Sequence, residues 1–263
     1  MELPRENQPD SANADLIGRQ DTIAFQRQQI VESLVWPAVF VIVLWCIEGY
    51  FQGAGDRAYS MGNHPRNVDG LLGIFLSPLI HAGIDHLLAN SAPLLIVGTG
   101  IWYFYRQIAT RVIAMIWIFT GFWVWLMARE EYHIGASGLV YGGVVFLFFS
   151  GVLRKDVRLL AVSLLVVFLY GSLAWGVFPI DPTQSWETHL AGSLAGLFAA
   201  VYYRDRGPRR KVYQWEIEEA MEQQVGEEVI SETTQPQSSI PVQPDFQIRY
   251  DYKEKNEGKG QAE

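Results

Sequence analysis

The ten residues HIGASGLVYG, His133–Gly142, begin an apolar run that continues to Leu153. Ser137 lies at the start of this membrane-length segment, with Gly135 and Gly138 beside it. Small residues let a neighbouring helix approach closely and are common in membrane helices. A serine in such a helix usually bonds back to a carbonyl one turn earlier. The stretch alone therefore indicates close helix packing, and polar residues elsewhere decide whether Ser137 belongs to a functional site.

Six apolar segments predict an all-α polytopic membrane protein, folded as a bundle of six transmembrane helices. The chain has 263 residues, 49% of them hydrophobic, and each segment is close to the roughly 20 residues that cross a bilayer. Their approximate bounds are 32–51, 83–105, 109–128, 136–153, 157–177 and 187–203. The chain therefore divides into a polar lead without a visible signal peptide (1–30), a membrane domain (31–204) and a tail (205–263).

The basic residues of the connections predict which side of the membrane each connection faces. Lys and Arg are enriched in loops on the cytoplasmic side. A basic cluster follows the second, fourth and sixth segments, whereas the other connections contain only Arg57, Arg66 and Arg129. The clusters are Arg106 and Arg111; Arg154, Lys155 and Arg158; and Arg204, Arg206, Arg209, Arg210 and Lys211. We therefore expect both termini in the cytoplasm, and a bacterial inner membrane as the location.

The formal net charge of −8 belongs to residues 212–263, the larger part of the tail. Residues 212–263 contain twelve Asp or Glu against four Lys or Arg, so the preceding part is neutral overall. Val212–Glu228 is compatible with an acidic helix, and residues 231–263 have the polar composition of a disordered segment. The single cysteine, Cys46, excludes an internal disulfide.

The first connection, residues 52–82, is longer than a simple turn. Loops of this length are usually functional or disordered. Its apolar part, Leu71–Ile80, is too short to cross a bilayer. We therefore expect this part to lie in the outer membrane interface.

Polar residues of three segments are predicted to lie at one depth. The second, fourth and sixth segments begin at the outer face, and near their starts they carry His86 and Asn90, Ser137, and His189, respectively. Each residue is within one or two helical turns of its helix start. For any one of them an ordinary interhelical hydrogen bond is the alternative, but polar residues inside a membrane are costly and usually functional. Their convergence favours a site.

Spacing also places these residues on shared helix faces. Residues three, four or seven apart lie on the same face of a helix. The faces are His86 with Asn90, Ser137 with Tyr141, and His189 with Gly192 and Gly196. The pattern Gly192-x-x-x-Gly196 would let the sixth helix approach the fourth closely enough for His189 to reach Ser137.

These residue types suit acyl transfer. A serine hydroxyl is a weak nucleophile and needs a base. The nearest lysine lies at the far end of the same helix, which leaves His189 as the base for Ser137. His86 and Asn90 can donate hydrogen bonds to a tetrahedral oxyanion. No carboxylate obviously orients His189, and Tyr141 can stack on its ring.

A metal site and a transporter or channel are the alternatives to acyl transfer at these polar residues. His81, His86 and His189 form a rival metal site, although no carboxylate or cysteine lies beside them in a usual ligand pattern. A transporter or channel is the other alternative, but the chain lacks a pair of broken helices in matching halves. We therefore expect no metal and no other cofactor.

Three motifs together resemble the rhomboid intramembrane serine proteases. They are His81-x4-His86-x3-Asn90, Gly135-Ala136-Ser137-Gly138 with Tyr141, and His189-Leu190-Ala191-Gly192-x3-Gly196. The likeness covers residues 32–204 and includes the order and spacing of all three motifs. It implies a compact six-helix bundle with a water-accessible cavity open to the outer side. It also implies hydrolysis of peptide bonds in transmembrane substrates by a Ser-His dyad.

The resemblance also implies a role for each residue. Ser137 would be the nucleophile and His189 the general base, with His86 and Asn90 in the oxyanion hole and Tyr141 packed on His189. The implied partners are transmembrane proteins and the lipid bilayer, not nucleic acid, and the oligomeric state is left open. A non-proteolytic relative that holds membrane clients is the alternative, but such a protein usually lacks the serine or the histidine.

One position departs from the family pattern. Many members carry a Trp-Arg pair in the first outer loop, shortly before the matching histidine. This chain has Leu72-Gly73 there, and residues 67–80 contain no basic residue. The anchoring of this loop and its influence on the choice of substrate are therefore not carried over from the family.

Overall fold

Six helices make up most of the described chain. The computed structural model describes residues 11–52, 59–170, 175–180, 184–208, 217–219 and 221–224, with side chains from residue 23 onward. The helices are α1 (Ser11–Phe51), α2 (Ile84–Tyr105), α3 (Ala109–Met127), α4 (Ser137–Arg154), α5 (Val157–Leu169) and α6 (Trp186–Tyr202). Within the described ranges the only β pairing is a single bridge between Asn63 and His133. The all-α prediction is confirmed.

Within the described residues, four helices are long and apolar enough to cross a bilayer. They are the Ile23–Phe51 part of α1, and α2, α3 and α4. The helices α5 and α6 are shorter, at 13 and 17 residues. Residues 171–174, which belong to the predicted fifth segment, lie outside the described residues. The chain is thus a multi-pass membrane protein, and the count of six crossings stays a prediction.

The first helix is much longer than its apolar segment. We expected residues 1–30 to be a loose lead with at most a short helix at its end, and from Ser11 onward this expectation is wrong. Residues 11–31 contain no proline, whereas Pro4 and Pro9 precede the helix. A helix can continue as a polar helix beyond the bilayer, because the thickness of the membrane sets only the length of the apolar segment inside it.

The helix α4 lies at the centre of the bundle. It contacts α6, α5, α2 and α3, while α1 packs against α2 on the outside. More than half of its apolar stretch is buried inside the protein, the largest share among the four spans. The helix begins at Ser137 and ends at Arg154. Lys155 caps it in a left-handed conformation with φ 54°. The central position explains why so many residues of α4 are small.

Glycines form the contact between α4 and α6. A Cβ atom added at Gly192 would overlap the carbonyl oxygen of Gly138, and one at Gly196 would overlap that of Gly142. The two backbones therefore touch directly, which only small residues permit. The sequence predicted this approach from the pair Gly192 and Gly196, and the structure adds the facing pair on α4.

Most of the predicted tail falls in a second unit. The chain divides into Met1–Lys211 and Val212–Glu263, and the domain boundary at residue 204 stays a prediction. In the second unit residues 217–219 and 221–224 are helical with exposed side chains. They fall within the predicted acidic helix Val212–Glu228. The rest of that helix, and residues 231–263, lie outside the described residues.

Replacing Gly196 with alanine should lower the thermal stability of the protein. The added methyl group meets the Gly142 carbonyl and forces α6 away from α4. Overpacking of this kind costs about 1–3 kcal/mol. Gly49→Ala is the matched control, because it adds the same methyl to α1 where nothing lies within 4 Å. Thermal unfolding of both variants in detergent micelles checks this, and equal midpoints would contradict a close α4–α6 contact.

Candidate active site

Ser137 and His189 meet at the N-terminal ends of α4 and α6. Nε2 of His189 lies 2.9 Å from Oγ of Ser137. Nδ1 of His189 lies 2.8 Å from the carbonyl oxygen of Gly176. A carbonyl can only accept, so Nδ1 carries the proton, and Nε2 accepts from the serine hydroxyl. This is the arrangement of a nucleophile with its base.

Tyr141 supports the imidazole from its face. The two rings are stacked, with centroids 4.1 Å apart and planes inclined by 9°. Gly176 lies so close to the Tyr141 hydroxyl that a side chain at 176 would overlap it. The ring of His189 is therefore held by an aromatic face and a backbone carbonyl. Tyr141 was predicted from the sequence, whereas Gly176 was not.

His86 and Asn90 lie on the first turns of α2, next to the Ser137 turn. The Asn90 side-chain amide donates to the His86 carbonyl over 2.9 Å, which leaves its second N–H available. Nδ1 of His86 accepts the Ala82 N–H over 3.3 Å, so Nε2 of His86 carries the proton. The His86 ring lies against Gly135, where φ is +104° and an added Cβ would overlap the ring. Glycine at 135 thus serves both the turn and the close approach.

One cavity brings the predicted residues together. It has a volume of about 520 Å³, and Ser137, His189, His86, Asn90 and Tyr141 all line it. The common depth predicted for the polar residues of three helices is therefore present. The rest of the wall is mostly uncharged, and its two charged side chains, Arg129 and Glu131, pair with each other over 3.1 Å.

His81 holds the turn that precedes Ser137. It lies in the connection before α2, where its Nε2 accepts the backbone N–H of Ala136 over 3.3 Å. Burial, with a smaller contribution from the neighbouring His86, lowers the pKa of His81 to about 3. The ring is therefore neutral at physiological pH and free to act as an acceptor. The rings of His81 and His86 meet edge to face, with centroids 5.2 Å apart.

The connection between α1 and α2 lacks the Trp-Arg pair and is bonded instead to His133 and to α3. Asn63 and His133 exchange two backbone hydrogen bonds of 2.9 Å. The buried Asn63 side chain also donates to the Gly121 carbonyl over 2.7 Å. Gly73 permits this path, because a Cβ at 73 would overlap the backbone at Gly62. The glycine of Leu72-Gly73 is thus needed for the close approach of this loop to its own backbone at Gly62.

The apolar part of that loop forms short helical turns beside α3. The turns are Val68–Leu71, Gly73–Leu76 and Ser77–Leu79. Trp117 of α3 donates its indole N–H to the Phe75 carbonyl over 3.2 Å. The Ser77 carbonyl accepts the Gly135 N–H over 2.8 Å, which ties the loop to the Ser137 turn. Leu72 is 70% exposed, and the interfacial position of this segment stays a prediction.

His133 is a site residue that sequence reasoning missed. Its Nδ1 lies 2.5 Å from Oγ of Ser185, the residue that caps α6. Its Nε2 lies 3.0 Å from the Arg129 carbonyl, so Nε2 donates and Nδ1 accepts. Burial lowers the pKa of His133 and keeps this neutral pattern. His133 therefore joins the loop before Ser137 to the start of the helix that carries His189.

No metal site forms from the histidines of the described ranges. Among those residues no group of three or more His, Cys, Asp or Glu side chains is placed to hold an ion. His81 and His86 are occupied by the hydrogen bonds described above. The arrangement around Ser137 is organised for hydrogen bonding and proton transfer.

The sequence comparisons agree with this geometry. The family model described as "Rhomboid domain" matches residues 69–206. Uncharacterized protein Rv1337 of Mycobacterium tuberculosis is 35% identical over 181 residues, covering 65% of this chain and 75% of that protein. Uncharacterized protein ML1171 of Mycobacterium leprae is 33% identical over 182 residues, covering 65% of this chain and 71% of its own length. The chain belongs to the rhomboid family, and the resemblance seen in its motifs is confirmed.

His133→Phe should lower the stability of the folded protein. The variant keeps an aromatic ring but removes both ring hydrogen bonds, so the Arg129 carbonyl loses the His133 donor and Oγ of Ser185 keeps only its contacts with Thr188. An unsatisfied buried group costs about 1–3 kcal/mol. Tyr132→Phe is the control, since Tyr132 is 44% exposed and loses only a hydroxyl. Thermal unfolding in detergent measures both, and a midpoint for His133→Phe equal to that of the control would show that these bonds hold nothing together.

Proposed function

We propose that the protein is an intramembrane serine endopeptidase, which hydrolyses peptide bonds of transmembrane substrates near the outer face of the bilayer. One observation carries the proposal: the 2.9 Å hydrogen bond between Nε2 of His189 and Oγ of Ser137 in a rhomboid-family chain. The pair lies on the wall of a cavity of about 520 Å³, large enough to admit a peptide bond and water.

The first chemical step is acyl transfer to the serine. Neutral His189 accepts the hydroxyl proton at Nε2 while Oγ of Ser137 attacks the substrate carbonyl carbon. The tetrahedral oxyanion receives hydrogen bonds from Nε2–H of His86 and from the second amide N–H of Asn90. His189 then returns the proton to the leaving amine, and the peptide bond breaks.

The second step releases the acyl group. A water molecule in the cavity gives a proton to His189 and attacks the ester carbonyl carbon. Ser137 then takes back its proton as the carboxyl product leaves. During both steps the imidazolium is stabilised by the Gly176 carbonyl and by the Tyr141 ring, because an aromatic face attracts a cation. These two groups take the place of the carboxylate found in a Ser-His-Asp triad.

The proposed reaction needs the cavity to face the outer side. We propose that both termini are cytoplasmic, in a bacterial inner membrane, because the basic clusters follow α2, α4 and α6. In a Cys46→Ser background, a cysteine at Glu130 should react with an impermeant maleimide added to intact cells. A cysteine at Lys155 should not react, and the reverse labelling pattern would overturn this orientation.

Ser137→Ala and His189→Ala should each abolish cleavage of transmembrane peptides by the purified protein, read by mass spectrometry. Serine without a base is a poor nucleophile, so the double variant should resemble either single one. A fluorophosphonate probe should label wild-type Ser137 and neither variant. Ser150→Ala removes a buried hydroxyl further along the same helix and should retain labelling and cleavage.

Two outcomes of this experiment count against the proposal. Cleavage by Ser137→Ala at the wild-type rate would exclude the serine mechanism. A folded wild type that neither cleaves any peptide nor takes the probe would favour the client-binding alternative.

His86→Ala and Asn90→Ala should slow cleavage without removing it. Loss of one oxyanion donor typically costs about 10²–10³ in rate. The two losses should combine less than additively, because both donors serve one anion. Ala89→Ser, at a neighbouring position on the cavity wall, tests whether a small change there is tolerated. Wild-type rates in both alanine variants would remove His86 and Asn90 from the oxyanion hole.

A further inference from the structure

A second, basic cavity lies at the end of the bundle opposite to Ser137. It has a volume of about 820 Å³ and is formed where α2 and α6 end and α3 begins. Three arginines line it, Arg106, Arg111 and Arg206. Tyrosines supply much of the remaining wall, at positions 103, 105, 202 and 203. We call this cavity the basic pocket.

Contacts of Arg154 and Tyr105 fix the shape of the basic pocket. Arg154 at the end of α4 donates to the carbonyl groups of the segment after α6, namely those of Tyr203, Arg204, Arg206 and Pro208. Its guanidinium also lies over the Tyr105 ring, 5.8 Å from the centroid. Gly207, with φ +119°, packs directly against that ring, where a Cβ would overlap it. The wall that carries Arg206 is therefore held in place by the core.

The pocket has positive charge that the described protein does not neutralise. Arg106 pairs with Glu32 over 2.8 Å. In the parts of the chain with described side chains, no carboxylate forms an ion pair with Arg111 or Arg206. Both side chains are exposed and face the same cavity. An anion that enters the pocket would meet two guanidinium groups.

The position of the pocket indicates which anion. The last residues of α2 and the first of α3 are the ends of apolar spans, so the pocket lies at the depth of the lipid headgroups. Tyrosine is enriched at this depth, and basic pockets between membrane helices bind anionic headgroups. The arginine fork matches the geometry of a phosphate. We infer that the basic pocket binds the phosphate headgroup of an anionic phospholipid through Arg111 and Arg206.

Arg204 is the control that distinguishes binding in the pocket from a general effect of positive charge. Basic residues at this end of the bundle also serve to orient the chain in the membrane. Arg204 is exposed, adjacent to the same segment and paired with Asp205 over 3.7 Å, but it does not line the pocket. A site-specific interaction depends on Arg206 and Arg111 and not on Arg204, whereas a general charge effect treats all three alike.

The test measures lipid bound to the full-length protein. Wild type, Arg111→Gln, Arg206→Gln, the double variant and Arg204→Gln are purified in detergent and titrated with phosphatidylglycerol or phosphatidylcholine. Native mass spectrometry counts the bound lipids. Each pocket arginine should contribute roughly fivefold to phosphatidylglycerol affinity, and the double variant should lose roughly 25-fold. Arg204→Gln and the wild type should bind alike, and phosphatidylcholine should bind weakly to every protein.

Several results would overturn the inference. Equal losses in Arg204→Gln and Arg206→Gln would reduce the effect to surface charge. Equal binding of phosphatidylcholine would show that the headgroup charge is not recognised. Inorganic phosphate at millimolar concentration that displaces the lipid completely would identify the pocket as a site for free phosphate.

A second measurement uses only the wild-type protein, in case a variant does not fold. A phosphatidylglycerol analogue with a photoreactive headgroup is crosslinked to the protein in nanodiscs, and the modified peptides are sequenced. Crosslinks should concentrate at residues 103–111 and 202–208, and decrease when unlabelled phosphatidylglycerol is added. A uniform distribution of crosslinks over both ends of the helices would contradict a built site.

Discussion

The direct contact between the backbones of α4 and α6 determines the geometry of the rest of the site. Gly138 and Gly142 face Gly192 and Gly196, with no room for a Cβ between them. In a membrane such packing replaces the hydrophobic effect as the force between helices. Because Ser137 and His189 lie in the first turns of the same two helices, the separation of the backbones also sets the distance between Oγ and Nε2.

Hydrogen bonds between loops hold the Ser137 turn in place at the start of α4. Irregular backbone at membrane depth is tolerated only where other protein groups or a wet cavity satisfy its polar atoms. Here Asn63 pairs with His133, the Gly135 N–H donates to Ser77, and the His133 ring bonds to Ser185. These bonds connect the first outer loop, the Ser137 turn and the start of α6. The cavity can therefore admit water while these bonds keep its walls in place.

The orientation of His189 is fixed by a backbone carbonyl and an aromatic ring, and not by a carboxylate. The Gly176 carbonyl accepts the Nδ1 proton and selects the neutral tautomer in which Nε2 faces Ser137. The Tyr141 ring limits rotation of the imidazole by stacking on it. A carbonyl dipole stabilises an imidazolium less than a full negative charge does, so in the proposed reaction the aromatic face and the oxyanion donors carry more of the stabilisation.

Much of the fold and of the site could be predicted from the sequence, because a bilayer restricts what a helix can do. Segment length predicts the spans, four of which the described helices match, and the rise per residue places His86, Asn90, Ser137 and His189 at one depth. The spacing of Gly192 and Gly196 predicts the close approach of their helix. Polar stretches outside the bilayer have no such restriction, which is why the start of α1 at Ser11 was not predicted.

Only the tertiary structure revealed the contacts that join distant loops. Gly176 lies in an irregular connection, so no periodicity indicates that its carbonyl orients His189. The bond between His133 and Ser185 joins residues 52 positions apart, and the role of Gly73 depends on the backbone at Gly62. Loop paths follow from packing against elements far away in sequence, and neither hydropathy nor helical spacing contains that information.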